Sequence, residues 1–357
     1  LINLSSGKLA CRAFHLEDNN LPTINRRWVL ASHPEGKPTL DTFRLEEVEL
    51  ADPGEHELLI QAKYFSVDPG MRSRLSGDSY AAALQPGEVI EGAMVGEVVQ
   101  SNNEKFSVGD LVTGGFGWQS HALSNGRGLA KLDANLFSGP LRATAAIGVL
   151  GIPGLTSYFG LSDLGKPKEG ETVLISSAAG PVGATAGQIA KMKGCRVVGI
   201  AGSPAKCDYV TKELGFDACI NYKDATNLEE AIKAACPDGV DIYFDNVGGE
   251  MLDAAIANAN ERGRIIISGA VSEYNKPEPR GIRNTLQFIT HRLRMEGLVV
   301  FDYFKQFRDA QAEMAGWIKE GKLIYTEDIS EGIETAPAAF IGLFEGENFG
   351  RRLVKVS

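Results

Sequence analysis

From Glu171 onward the sequence alternates apolar runs of strand length with segments of helical character, and this rhythm constrains the fold more than any other feature. The runs are TVLISS, CRVVGIA, ACINY, VDIYFDN, RIIISGA and MEGLVVFD. Strands separated by helices predict a doubly wound parallel sheet, whose strands are covered on both faces and so read as continuous apolar stretches. Between Trp28 and about Val112 the pattern differs: RWVLAS, FRLEEVEL, ELLIQAKYFSVDP, GEVIEGAMVGEVVQ and VGDLV are short β-rich pieces punctuated by Gly and Pro, as in a barrel or sandwich. The tail from Leu323 returns to turn-rich strand character and is expected to pack back onto this first unit. The stretch Leu141–Leu164 reads as a helical hinge interrupted at Pro153. A cleft is therefore expected between the units, at the carboxyl ends of the parallel strands.

Two units suit a chain of 357 residues, which exceeds the usual size of a single core. A formal charge of −10 argues against nucleic acid or anionic lipid as partners, because phosphate binding relies on clustered Lys and Arg. The richest apolar run, ATAAIGVLGIPGL, falls short of the roughly 20 residues a membrane span needs, so no membrane partner is expected. The five cysteines show no C-x-x-C spacing, which predicts reduced thiols and a cytoplasmic setting. Residues 1–24 lack the basic start and apolar core of a secretory signal, do not begin with Met, and are read as an N-terminal extension without assigned function. A small-molecule substrate remains the default.

SSAAGPVGATAG, following the first apolar run and opening a helix, has the context of a dinucleotide-binding turn. Gly180 lets the backbone approach a pyrophosphate, Gly183 permits close helix–strand packing, and the free amides of the helix start face the anion. Ala178 stands where the first glycine of the fingerprint is expected, which is tolerable if the turn does not require positive φ there. About twenty residues on, where an NAD site places an acid on the ribose, the chain has Ala201, Gly202 and Ser203. No carboxylate is present to repel a 2′-phosphate, and Lys206 lies one helical turn onward to neutralise it, which selects NADPH.

GVLGIPGLTSYFGL, AAGPVGATAGQIAK, VVGIAGSPAKC, FDNVGGE and RMEGLVVFDY, in that order and spacing, resemble the medium-chain dehydrogenase/reductase superfamily. Within it the chain is similar to the zinc-independent branch of NADPH-dependent enone reductases, which includes curcumin, 2-alkenal and prostaglandin/leukotriene reductases. The resemblance runs from about Asn25 to Val356. It implies an α/β fold in which residues 25–149 and 321–357 form a partly open, GroES-like β-barrel catalytic domain and residues 150–320 a Rossmann NADPH-binding domain. It also implies a homodimer. The cofactor contacts it implies are Gly180, Pro181, Val182 and Gly183 of the turn, with Ser203, Lys206 and Tyr222. Asn246, then Ser268, Gly269, Ala270 and Tyr274 of SGAVSEY, Val299 and Asn348 complete the set, and Asn-Val-Gly-Gly after Asp245 is expected to supply amide donors near the nicotinamide.

No metal is expected. Zinc enzymes of the superfamily carry a Cys/His/carboxylate set near a G-H-E segment and a lobe of closely spaced cysteines, whereas here the comparable segment reads GEVIEGAMVGEV and the five histidines have no ligand-like spacing. The expected reaction is hydride transfer to the β-carbon of an α,β-unsaturated ketone or aldehyde, with hydrogen-bond donors meeting the charge that develops on the carbonyl oxygen. A proton then reaches the α-carbon from water or a tyrosine hydroxyl. The family pattern VDPYMR reads VDPGMR here, so Gly70 replaces a tyrosine and opens the pocket. Tyr80 in GDSYAAAL is the remaining candidate proton donor, with the backbone and the cofactor's ribose hydroxyl as alternatives. Rival readings are a carbonyl or quinone reductase, and a non-catalytic nucleotide-binding or structural protein.

Overall fold

The computed structural model describes residues 22–77 and 82–356. The N-terminal part consists of β1 (Thr23–Leu30), β2 (Phe43–Leu50), β3 (Leu58–Ser66), a short helix α1 (Met71–Arg74), β4 (Met94–Ser101), β5 (Leu111–Gly114), β6 (His121–Ser124) and β7 (Ala130–Lys131). After α2 (Ile152–Phe159), strand and helix alternate: β8 (Thr172–Ser176), α3 (Pro181–Met192), β9 (Arg196–Ala201), α4 (Pro204–Lys212), β10 (Ala218–Asn221) and α5 (Leu228–Ala235). The alternation continues through β11 (Val240–Asp245), α6 (Gly249–Ala257), β12 (Ala259–Ile267), α7 (Leu286–Thr290) and β13 (Arg294–Gly297). The chain ends with α8 (Phe307–Lys319), β14 (Glu327–Glu331), α9 (Ala336–Glu345) and β15 (Arg351–Lys355).

The middle strands form a six-stranded parallel sheet in the order β10-β9-β8-β11-β12-β13. The crossovers lead to a neighbouring parallel strand except after β10, where α5 carries the chain back across to β11 beside β8, so the winding direction reverses between β8 and β11. That reversal opens a crevice at the carboxyl ends of these two strands, where doubly wound sheets bind ligands. All five residues of β8 are buried, as expected for a strand covered on both faces.

The second sheet runs β14-β15-β3-β4-β5-β7, with β6 on β3, and the path does not close among the described residues. Both ends of the chain thus share one sheet, and β1 pairs with β2 in a separate antiparallel ribbon. Its core is centred on the fully buried Trp118, whose indole contacts the rings of Phe43, Phe65 and Phe340 and donates to the Ser66 carbonyl at 3.0 Å.

Two expectations are corrected. The tail from Leu323 is not strand throughout, because α9 lies between β14 and β15. Ala336, Ala339 and Phe340 share a helical face that is buried, and Pro337 sits in the first turn, where its missing amide costs nothing. Nor is the hinge interrupted at Pro153, which likewise lies in the first turn of α2. The break is at Gly148–Gly151: a Cβ on Gly151 would approach the Ala146 carbonyl to 2.7 Å, so glycine is what allows the chain to fold back there.

Candidate cofactor and active site

Gly180 is the N-cap of α3, Pro181 occupies the first turn, and no side chain caps this helix end. Gly183 meets its expected requirement, since a Cβ there would lie 2.4 Å from the Ser177 carbonyl oxygen and 2.9 Å from the Ala178 Cα. The left-handed residue of the turn is Ser177, at φ 52°, one position before Ala178. Ala178 itself is fully buried against β9, where a Cβ on Gly199 would reach to 2.7 Å of its methyl. The alanine is therefore compatible with the turn, and the steric demand for glycine has passed to Gly199.

At the ends of β9 and β10 the structure brings Ser203, Lys206 and Tyr222 together. The Ser203 hydroxyl accepts the Lys206 amide at 3.2 Å and caps α4. A Cβ on Gly202 would come within 3.0 Å of the Tyr222 ring, so the ring lies along the strand-end backbone. Lys206 is half-buried and, among the described residues, forms no ion pair with a carboxylate. Its Nζ donates to the Gly346 carbonyl at 2.7 Å and lies 5.5 Å from the Phe349 ring centroid. Burial, with help from the neighbouring Lys223 charge, pulls the ammonium below its ordinary range. Two lysines, with the nearby acid Asp328 already paired to Arg352, make a place for an anion, and the 2′-phosphate of a dinucleotide fits this donor set. Lys223 was not among the expected contacts, although it directly follows Tyr222 in NYKD.

Asn246 sits at the switch point. Its backbone amide donates to the Ser176 hydroxyl and its side-chain amide to the Ser176 carbonyl, each at 2.8 Å, which leaves Oδ1 as the side-chain atom not committed to Ser176. The expectation of free amide donors from the following residues is corrected. Val247 and Gly248 both donate to Asp245 Oδ1 at 2.9 Å, and that oxygen also accepts from Tyr243 and Ser176. Asp245 is fully buried, its Oδ2 has no partner, and burial lifts its carboxyl above the ordinary range despite these donors. Its role is to fold the turn inward and hold Asn246 at the strand end.

The segment after β12 is built on the same turn: Ser268 and Gly269 donate to the Asp245 carbonyl, Val271 to that of Asn246 and Ser272 to that of Val247. The Ala270 amide donates to the Tyr274 hydroxyl at 3.2 Å. Val299 lies just beyond β13 and is exposed. Asn348 donates to the Gly350 carbonyl at 3.0 Å, and the Gly350 amide donates to the Ala179 carbonyl at 2.8 Å, which seats the 346–350 loop beside the glycine turn.

From the other sheet comes Gly70, which caps α1 and is half-buried. Two residues on, Arg72 is buried and donates to Asn275 Oδ1 at 2.8 Å and to the Gly36 carbonyl. It joins the loop next to Gly70 to the segment that follows Tyr274, a link the sequence reading did not single out. Asp68 accepts from Ser66 at 2.7 Å and pairs with the buried Arg351, which also donates to the Ile147 carbonyl at 2.9 Å. Tyr80, the expected proton donor, lies outside the described residues. Among the described residues no group of three or more His, Cys, Asp and Glu could hold a metal ion, and no helix is long and apolar enough to cross a membrane.

Comparison with known proteins gives two matching family models, one described as the N-terminal domain of oxidoreductase over residues 26–132 and one as zinc-binding dehydrogenase over residues 181–316. The NADPH-dependent curcumin reductase of Escherichia coli is 45% identical over 93% of this chain and 97% of its own length. The NADP(+)-dependent 2-alkenal reductase of Nicotiana tabacum is 40% identical over 93% of this chain and 98% of its own length. The crystal structure of CurA from Vibrio vulnificus in complex with NADPH matches with a TM-score of 0.87 at 40% identity, covering 93% of this chain and 99% of that one. Matched over almost its whole length by these relatives, this protein belongs to the medium-chain dehydrogenase/reductase family, alongside the curcumin and 2-alkenal reductases.

Proposed function

We propose that this chain catalyses the NADPH-dependent reduction of the C=C bond of α,β-unsaturated ketones and aldehydes. One observation carries the cofactor assignment: a half-buried lysine in the first turn of α4, close to Lys223, whose Nζ bonds a backbone carbonyl and no carboxylate. The substrate class is supported by the activities for which these relatives are named, and the relatives match along almost their whole length.

In this reading α3 offers its uncapped start to the pyrophosphate, and Lys206, Ser203 and Tyr222 hold the 2′-phosphate end. Asn246, the segment from Ser268 to Tyr274, Val299 and Asn348 hold the remainder. Bound there, the reduced nicotinamide supplies the hydride. The chain orients the alkene above it, excludes water and places hydrogen-bond donors where the carbonyl oxygen gains charge. Tyr80 is our candidate for delivering the proton to the α-carbon. We assign residues 25–149 and 321–357 to the catalytic domain and 150–320 to the cofactor domain.

The test is NADPH consumption with enals, cyclic and aryl enones, quinones and simple aldehydes, with products identified. A saturated ketone or aldehyde is expected. An allylic alcohol or a hydroquinone as the main product would replace alkene reduction by carbonyl or quinone reduction, and NADPH that binds without ever being oxidised would favour a non-catalytic role.

We also infer a homodimer formed through β13. This edge strand is exposed, and the flanking Leu286, Ile289, Phe301 and Phe304 are all more than half exposed. An uncovered strand edge flanked by large apolar side chains favours pairing with a second copy. The four described cysteines are free, which supports a cytoplasmic setting.

A further inference from the structure

Gly70 sits between two anchors of different kinds. Two residues before it, Asp68 pairs with Arg351 of β15 and ties the loop to its own sheet. Two residues after it, Arg72 crosses to the segment that follows β12, where its Nε donates to Asn275 Oδ1 at 2.8 Å. The other guanidinium nitrogens donate to the Ser76 hydroxyl and the Gly36 carbonyl, and the Ser76 hydroxyl donates in turn to the Pro34 carbonyl at 3.0 Å. The Arg72 side chain is buried, and among the described residues its hydrogen bonds all go to neutral oxygens. Its rigid fork therefore serves to hold three segments in one geometry and not to neutralise an acid.

The segments it joins need such a link. α1 is a single turn of four residues, too short to hold its place by helix formation, and no side chain caps its start. Asn275 directly follows Tyr274, whose hydroxyl accepts the Ala270 amide, and the Val271 amide donates to the Asn246 carbonyl. The Asn275 segment is thus continuous with the turn at the switch point. Gly36, at φ 72°, packs beneath the same contact, since a Cβ there would lie 3.7 Å from the Asn275 carbonyl oxygen.

We propose that Arg72 is a positioning residue: by fixing α1 to Asn275 it sets the separation between the substrate wall at Gly70 and the nicotinamide. The inference deepens the proposed function and rests on it, because it takes Gly70 and the 268–274 segment as two walls of one pocket. Reacting atoms must approach to about 3–3.5 Å, and a displacement on the order of 1 Å can cost roughly a hundredfold in rate. Asn246 is held by Ser176, and Ser268 and Gly269 by the Asp245 carbonyl, so these proposed cofactor contacts do not depend on Asn275. Loss of the link should therefore appear in turnover and not in NADPH affinity.

The full-length protein and its variants are compared in steady-state kinetics with an aryl enone, in NADPH titrations, and in amide hydrogen exchange with NADPH bound. Asn275→Ala removes a half-buried side chain and is the mild variant. It should lower kcat about tenfold, leave the NADPH Kd within about twofold, and speed exchange across residues 70–77. Arg72→Lys, whose point charge cannot meet all three acceptors at once, should lose at least as much, and adding Asn275→Ala to it should cost nothing further. Asn275→Asp keeps an oxygen in the place of Oδ1 and should recover most of the loss. Lys37→Ala breaks the exposed pair between the same loop and Glu345, and should change nothing. An unchanged kcat or unchanged exchange in Asn275→Ala, additive losses in the double variant, or no recovery in Asn275→Asp would overturn the proposal. So would an equal loss in Lys37→Ala or a matching fall in NADPH affinity. If the unmutated protein reduces no enone, the functional reading fails, while the exchange rates still report whether Asn275 holds α1.

Discussion

The two ends of the proposed groove are built in different ways. At the nucleotide end, backbone does most of the holding: an uncapped helix start, a glycine in contact with the turn beneath it, and a cap that fixes the amide of Lys206. At the substrate end, single side chains do the joining, with Arg72 of α1 reaching Asn275 in the segment after β12 and Arg351 of β15 reaching Asp68 in the loop after β3. Strand ends and helix starts are placed by the whole sheet, whereas loops are placed by a few contacts that each substitution can retune. The nucleotide end is the fixed half of the site and the substrate end the adjustable one.

Lys206→Ala tests the first half and should give the largest effect. NADPH binding is expected to weaken by about 1.5–3 kcal/mol, roughly 10–150-fold, with little change for NADH, as measured by titrating both. Equal losses for the two would remove the distinction drawn for this end. Asp68→Asn probes the anchoring of the substrate end. Burial lifts the Asp68 carboxyl, but the charge and hydrogen bonds of Arg351 outweigh it and hold it below its ordinary value. Its folded pKa therefore lies below the unfolded one of about 3.9, so the stabilisation is complete above that pH and is lost as pH falls through the folded value. At neutral pH the substitution should cost about 2 kcal/mol of stability in denaturant melts, less than a wholly buried pair, because a third of the Asp68 side chain is exposed. The KM for enones should rise while NADPH affinity holds, and a loss shared equally by both would blur the contrast. Gly70→Tyr should have the smallest effect: kcat/KM for bulky aryl enones falls about tenfold while slim enals are spared. If both substrate classes respond alike, Gly70 does not line the pocket.

How far the sequence could be read follows the same division. The first five apolar runs became β8 to β12, the inner ones most legibly because both faces are buried, whereas of MEGLVVFD only residues 295–297 are strand, on the exposed edge, and most of its apolar residues lie beyond it. Lys206 could be found by counting from the turn. Ser177 could not, because a left-handed serine has no compositional mark, and the eye was drawn to Ala178 beside it. Asp245 resembled the end of a strand, and only coordinates show its oxygen gathering the amides that were expected to face the ligand. Arg72 and Asn275 are about two hundred residues apart, and no local pattern announces their contact. The tail helix was missed because GIETAPAAFIGLFEGENFG is rich in turn formers, while the buried stripe through Ala336, Ala339 and Phe340 is short.

The bond from Lys206 to the Gly346 carbonyl has a kinetic and thermodynamic corollary. On the proposed assignment of the 2′-phosphate to Lys206, an arriving phosphate would trade places with a peptide oxygen, so the expected preference for the phosphorylated dinucleotide is a net figure, smaller than the bare attraction. The displaced oxygen belongs to the segment that carries Asn348, so on this assignment each arrival or departure of nucleotide would also untie and retie the far end of the chain.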